Sequence, residues 1–337
     1  MKSFENPISP DCRVGATPLQ TYKNKRVLVA GGTGMIGRPL CDLLTNLGAV
    51  VTVAGLEDPV LAKNILPRGT NYIKSDFTKM DAARFACEGQ DYVFNLVGIK
   101  GSVGIGESRA ASYLVPMLRF QTNLTEAAWA AGVKGFLFVS SINVYPPSER
   151  HFEENAWSGP PLQNDRVPGV GKRIGEVLGL AFQLEYQWEA FKTVRPANVY
   201  GPFDVVDPLR SQVIPGLIRK FLSGSPTVSV WGSGETIRDF VYSEDMAYWF
   251  ARAILDLPTN VPVNLGSGSG ISIESLARTI ARLTGFTGAL EFDGTKPSGD
   301  PIRLLDITRA QKLMDYSILT TLETGLAKTI QWMRGVL

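Results

Sequence analysis

Residues 26–47 constrain the fold more than any other stretch. Arg26-Val27-Leu28-Val29-Ala30 is a short apolar run, Gly31-Gly32-Thr33-Gly34-Met35-Ile36-Gly37 follows without a break, and residues 35–47 are amphipathic. Strand, tight turn and helix in that order, with a second apolar run at 50–54, read as a βαβ unit whose right-handed crossover requires a parallel sheet. The glycines have separate duties: Gly31 permits the turn, Gly34 lets the backbone approach a pyrophosphate, and Gly37 lets helix and sheet pack closely. Thr33, Met35 and Ile36 lie among them, at a helix N-terminus whose free N–H groups favour phosphate.

The alternation continues. Residues 72–74, 92–96, 136–140 and 191–195 are strand-like, and 82–88, 117–131 and 172–186 are helix-like. This pattern predicts an α/β fold, a Rossmann-type doubly wound parallel sheet with a smaller, interleaved C-terminal substrate lobe. Beyond Tyr200 the chain is punctuated by Gly201, Pro202, Pro208 and Pro215, and a strand-like run at 228–231 ends in glycines. The expected division is an N-terminal extension at 1–24, a dinucleotide-binding Rossmann domain at 25–200, and a lobe at 201–337 that is mainly substrate-binding. Residues 261–265 and a helix at 273–283 are expected to return toward the first sheet.

Composition excludes several functions. A net charge of +2 over 337 residues is too balanced for a dedicated nucleic-acid binder. Residues 1–24 contain no apolar stretch of signal or membrane-span length, so a cytoplasmic protein without a membrane partner is expected. Cys12, Cys41 and Cys87 have no C-x-x-C spacing and read as reduced, buried thiols. His151, the one histidine, cannot build a His-based metal site and reads as a surface loop residue, so no metal is expected. Tyr248-Trp249-Phe250 reads as the core face of a helix. The second strand ends in Ala54-Gly55-Leu56-Glu57, with an acid and no arginine near the ribose position, which leans toward NAD over NADP.

Longer motifs carry a resemblance. Ser75-Asp76, Asn95-Leu96-Val97-Gly98, Val139-Ser140-Ser141, the run from Arg195-Pro196-Ala197-Asn198 to Val199-Tyr200-Gly201-Pro202, and Trp231-Gly232-Ser233-Gly234 with Arg238-Asp239-Phe240 follow the glycine turn in order. From Lys25 onward the chain resembles the extended short-chain dehydrogenase/reductases, the NAD-dependent epimerase/dehydratase group acting on nucleotide sugars. The second lobe is most similar to the GDP-L-fucose synthase branch, through the run 213–220, the VWGSG run, and 292–306. The resemblance implies NAD or NADP against the glycine turn, with Asp76 and Phe77 at the adenine, Leu96, Val97 and Gly98 beneath the cofactor, and Pro196, Asn198 and Val199 near the nicotinamide. It implies a nucleoside-diphosphate sugar between the lobes, held by Lys100, Asn198, Arg219, Trp231, Arg238 and Lys296. It also implies a homodimer built on the helices near 108–131 and 172–188.

Where chemistry is expected, the pattern breaks. The family relays a proton through a Ser or Thr, a Tyr, and a Lys four residues after that Tyr. Ser141 or Ser140 supplies the first hydroxyl and Lys172 the lysine, which also binds the nicotinamide ribose, but the tyrosine position holds Pro168 and residues 164–172 contain no tyrosine. The cysteine and histidine that serve epimerisation in fucose synthases are also absent, with Ile142 or Asn143 and Phe203 in their places, so 3,5-epimerisation is not expected. Three functions stay open: redox modification at a ring carbon such as C4, with Ser141, Lys172, water, Asp165 or Tyr145 moving the proton; a dehydratase, decarboxylase or isomerase using bound NAD and an acid such as one in the Glu153-Glu154 loop; and non-catalytic nucleotide or nucleotide-sugar binding.

Overall fold

The first strand is apolar along its whole length because both faces of its sheet are covered. In the computed structural model, which describes residues 17–99, 109–208, 210–296 and 299–337, β1 (Arg26–Ala30) sends Val27 and Val29 to one core and Leu28 and Ala30 to the other. The chain continues through α1 (Gly37–Asn46), β2 (Val50–Gly55), α2 (Pro59–Ile65), β3 (Asn71–Lys74), α3 (Met80–Cys87), β4 (Tyr92–Asn95), α4 (Ala110–Ala130) and β5 (Gly135–Val139). After β6 (Arg150–His151) come α5 (Arg166–Tyr186), β7 (Phe191–Pro196), β8 (Asn198–Tyr200), α6 (Val213–Leu222), β9 (Thr227–Trp231), β10 (Ile237–Arg238), β11 (Phe240–Tyr242) and α7 (Ser243–Asp256). The remainder is β12 (Val263–Leu265), β13 (Ile271–Ser272), α8 (Ile273–Thr284), β14 (Ala289–Asp293), β15 (Ile302–Leu305), α9 (Thr308–Met314) and α10 (Leu322–Arg334).

Seven strands form the main sheet in the order β3-β2-β1-β4-β5-β7-β12, every pair parallel. Strand order reverses between β1 and β4, so a crevice opens at their carboxyl ends, where such sheets bind ligands. The late strand β12 does return to this sheet, pairing Val263 with Val194. The helix at 273 does not. Its apolar stripe, Ile273, Leu276, Ala277 and Ile280, is buried with Ile214, Leu217 and Ile218 of α6 and Leu326 and Ile330 of α10, in a core of its own.

Two expectations near the site change. The helix expected from 172 begins at Arg166, so Pro168 sits in its first turn, where a backbone N–H has no intrahelical acceptor and its absence costs no ladder hydrogen bond. His151 is not on a surface loop. It is 1% exposed, because β6 pairs with β15, Leu305 opposite His151, and its ring stacks on Tyr145 at 4.8 Å.

Candidate functional site

The glycine turn has the geometry its sequence requires. Gly31 adopts φ +79°, and a Cβ there would lie 2.9 Å from the Leu96 carbonyl oxygen, which leaves glycine as the residue that fits. At Gly37 a Cβ would lie 2.5 Å from the Gly32 Cα, so α1 meets the turn backbone to backbone. Gly34 faces open space apart from the Gly31 carbonyl at 3.4 Å, and Gly98, across the crevice, meets nothing within 4 Å. No side chain caps the head of α1; Arg38 N donates to the Gly34 carbonyl and Pro39 has no N–H, so the backbone N–H groups of residues 35–37 are the ones offered to an anion. Met35 is buried and Ile36 packs against the core, so these two contribute backbone to the turn.

The end of β2 divides its two acids. Asp58 caps α2, accepting from Val60 N at 2.9 Å, whereas Glu57 turns back to the glycine turn and accepts from Thr33 Oγ1 at 2.8 Å. Arg38, which sequence reading passed over, donates from Nε to the Thr33 carbonyl at 2.8 Å and lies over the Phe203 ring at 4.4 Å. Beyond β3, Asp76 is exposed, and hydrogen bonds from Thr78 hold its carboxyl below the usual range. Phe77 is buried, with its carbonyl accepting from Asn123. After β4, Val97 N donates to Asn95 Oδ1 at 3.2 Å, which shapes the backbone at Leu96 to Gly98. These residues form a cradle that suits a dinucleotide: bare backbone at the pyrophosphate, an acid beside the ribose, and no Cβ where a ligand must approach.

The two serines after β5 part company. Ser140 is buried and its hydroxyl donates to Glu176. That carboxylate also takes two hydrogen bonds from Arg195, at 2.9 and 2.7 Å. Ser141 is partly exposed, with Oγ accepting from Asn143 N at 3.2 Å, and it is the serine hydroxyl at the crevice. Lys172 projects from α5 to the same edge, where Nζ donates to the Val139 carbonyl at 2.7 Å. Burial pushes its ammonium down to about 8, against the opposing pull of Glu176.

Tyr145 and Glu153 leave the list of proton carriers. Tyr145 is fully buried, with its hydroxyl donating to Asn264 Oδ1 at 2.6 Å and accepting from Arg195 at 2.9 Å. Burial raises its phenol well above the ordinary range. Glu153 is not a solvated loop acid: it is 2% exposed and accepts from Asn264 N at 2.9 Å, while Glu154 stays at the surface.

Across the cleft the second body contributes cations. Asn198 is fixed by Nδ2 donating to the Asp239 carbonyl at 2.8 Å; Pro196 ends β7, and Val199 pairs with Val241. Arg238 donates to the carbonyls of Ile237 and Asp300 at 2.9 and 2.7 Å. Trp231 is 63% exposed, Lys296 is exposed, and Arg219 has a buried Nε with no hydrogen-bond partner. Lys100 lies outside the described residues. Sequence reading missed Arg303, which pairs through Nη1 with Asp165 at 2.7 Å and donates through Nη2 to Asn143 Oδ1 at 3.3 Å and Ile142 O at 3.4 Å. Its strand neighbours, Leu304 and Leu305, were legible as motif, but the arginine gains its meaning only when β15 reaches the head of α5. No group of three His, Cys, Asp or Glu among the described residues could hold a metal.

A switch-point crevice with a glycine-rich cradle on one wall and a Ser-Lys pair on the other defines a dinucleotide-binding Rossmann protein. Residues 27–266 match the model of the NAD dependent epimerase/dehydratase family, and the chain belongs to that family. It is 31% identical over 324 residues to GDP-L-fucose synthase of Escherichia coli K12, spanning 91% of this chain and 96% of that one. Among solved structures it is similar to UDP-glucose 4-epimerase of Thermotoga maritima with UDP-glucose, at a TM-score of 0.80 and 26% identity, covering 92% and 99% of the two chains. The fold is shared with a GDP-L-fucose synthetase from Naegleria fowleri bound to NADP, at a TM-score of 0.77 and 22% identity over 93% and 95%.

Proposed function

We propose that the protein carries out NAD(P)-dependent redox modification of a nucleoside-diphosphate sugar at a ring carbon, C4 by preference. The observation that carries this is the meeting of the dinucleotide cradle with Ser141 and Lys172 at one edge of the sheet, faced by Arg238 and Arg303 from the other body. A nicotinamide dinucleotide bound there supplies or removes hydride. Lys172 holds the nicotinamide ribose, Ser141 donates to the sugar oxygen at the reacting carbon, and the guanidinium groups hold the diphosphate, which they fork onto bidentately. The resemblance to GDP-L-fucose synthase favours GDP as the nucleotide.

Glu57 beside Thr33 favours NAD, because its carboxylate repels a 2′-phosphate and accepts from ribose hydroxyls. The apolar side chains Val170, Ile174, Val177 and Leu184, exposed along one side of α5, favour a homodimer on that helix. No helix among the described residues is long and apolar enough to cross a membrane. We read the protein as cytoplasmic, in keeping with the buried free thiols Cys41 and Cys87. Pro168, which removes the family's phenol, supports a second reading as a non-catalytic nucleotide-sugar binder.

The test is to follow nicotinamide absorbance with purified protein offered GDP-, UDP-, CDP- and dTDP-sugars and their 4-keto forms. Turnover with one sugar class supports the redox reading. Tight binding of dinucleotide and sugar with no turnover selects the binder.

A further inference from the structure

We infer that Tyr113 supplies the phenol that position 168 lacks and protonates the keto oxygen of the substrate. The inference rests on the redox reading above and assigns its missing proton donor. Helices α4 and α5 lie side by side and run in the same direction. Trp129 stacks on Tyr186 at 4.2 Å toward their C-terminal ends, Gln121 Nε2 donates to the Gly171 carbonyl at 2.7 Å, and a Cβ at Gly171 would lie 2.5 Å from Met117 Sδ. Residues 113, 117 and 121 follow one another at i, i+4 and i+8, so they form one stripe on α4. Met117 and Leu114 both lie against Gly171, and Tyr113, next to Leu114 in the first turn of α4, packs partly buried against the core that holds Met117 and Phe138.

Electrostatics place the phenol independently. Tyr113 is half-buried and feels the Asp165 carboxylate, three residues before Pro168. Asp165 is held by Arg303, which also donates to Ile142 and Asn143, the two residues after Ser141. Other phenols are committed: Tyr145 to Asn264, Tyr200 to the Leu322 carbonyl, and Tyr242 to Glu244.

With reduced nicotinamide dinucleotide bound, the keto carbon would gain hydride as a C–H bond of the dihydronicotinamide breaks and the dinucleotide is oxidised. The C=O π pair takes the proton from Tyr113, the O–H bond of the phenol breaks, and solvent reprotonates the phenolate. Burial and, after it, Asp165 raise the phenol's pKa, so Tyr113 is held neutral and is a donor first.

Tyr113→Phe keeps the ring and removes the proton. It is expected to lower kcat by about 10²- to 10⁴-fold on the 4-keto nucleotide sugar the wild type reduces, with KM and the Kd for reduced dinucleotide within about threefold. Undiminished kcat in Tyr113→Phe, with an active wild type, overturns the role of Tyr113 and leaves the redox reading standing. A wild type that reduces no 4-keto sugar overturns both. If Tyr113→Phe loses its fold, a fluorotyrosine at 113 keeps ring and hydroxyl and lowers the phenol pKa: a pH profile of kcat displaced toward lower pH supports the inference, and an unmoved profile overturns it.

Discussion

At His151 the cost of burying an imidazole shows in its proton affinity. Burial, followed by the nearby Arg303 charge, lowers its pKa from 6.5 to about 4. The unfolded chain therefore takes up this proton first, so His151 makes stability fall as pH drops from about 6.5 to about 4, by up to about 3 kcal/mol. Denaturant unfolding of wild type and His151→Gln across that window is expected to converge or cross toward pH 4, because the variant lacks this proton uptake; parallel curves would show a charged or exposed ring. Lys172 has the same sign in a higher window. Its folded-state pKa of about 8, below the ordinary 10.5, makes the apoprotein more stable as pH rises between those values. Lys172→Met, which keeps much of the stem and loses the charge, is expected to flatten that rise and to weaken reduced-dinucleotide binding by about tenfold or more, read by titration calorimetry. Unchanged affinity would remove Lys172 from the ribose.

Among the elements, α5 explains how a glycine-rich segment persists as a helix of 21 residues. Each interior glycine costs about 1 kcal/mol of helix propensity, yet added Cβ atoms at Gly175 and Gly179 would lie 2.2 and 2.3 Å from the rings of Phe138 and Phe191. The glycines let the helix lie directly on aromatic strands, and that contact offsets the propensity loss. Gly175→Ala is therefore expected to destabilise by about 1–3 kcal/mol despite alanine's better propensity, measured by chemical denaturation; a stabilised variant would refute the close packing. The βαβ start, the strand alternation and the glycine turn were legible because each rests on neighbours within one unit of chain. The early start of α5 was not, since Pro168 reads as a breaker until its place in the first turn is known. His151 and Glu153 were misread for a different reason: their burial depends on β15 and Asn264, more than a hundred residues away. Arg303 and Tyr113 escaped notice because neither carries a recognisable role by its spacing, and only the fold brings Arg303 to Asp165 and puts Tyr113 within reach of that charge.

For the whole molecule, the same polar network that joins the bodies also shapes the cleft. Asn264 on β12 donates to the carbonyls of His151 and Asp306, and Asp239 accepts from Ser267 N and Oγ while its own carbonyl takes both hydrogen bonds of Asn198. Main sheet, β6–β15 ladder and the β8–β11 pair are thereby tied at the crevice. The outer side of α5 has no such partner among the described residues. Val170, Ile174 and Val177 recur at helical spacing, each more than a third exposed, and Leu184 extends the stripe. An apolar stripe of this kind gains by covering itself with a second copy related by a two-fold axis, since one patch then serves both chains. Ile174→Glu puts a charge at the centre of that surface, where burial without a partner costs several kcal/mol per ion. Light scattering is expected to give twice the chain mass for wild type and the single-chain mass for Ile174→Glu, with dinucleotide affinity retained because Ile174 lies on the exposed side of α5. A wild type that runs at single-chain mass would mean that the stripe is simply solvated.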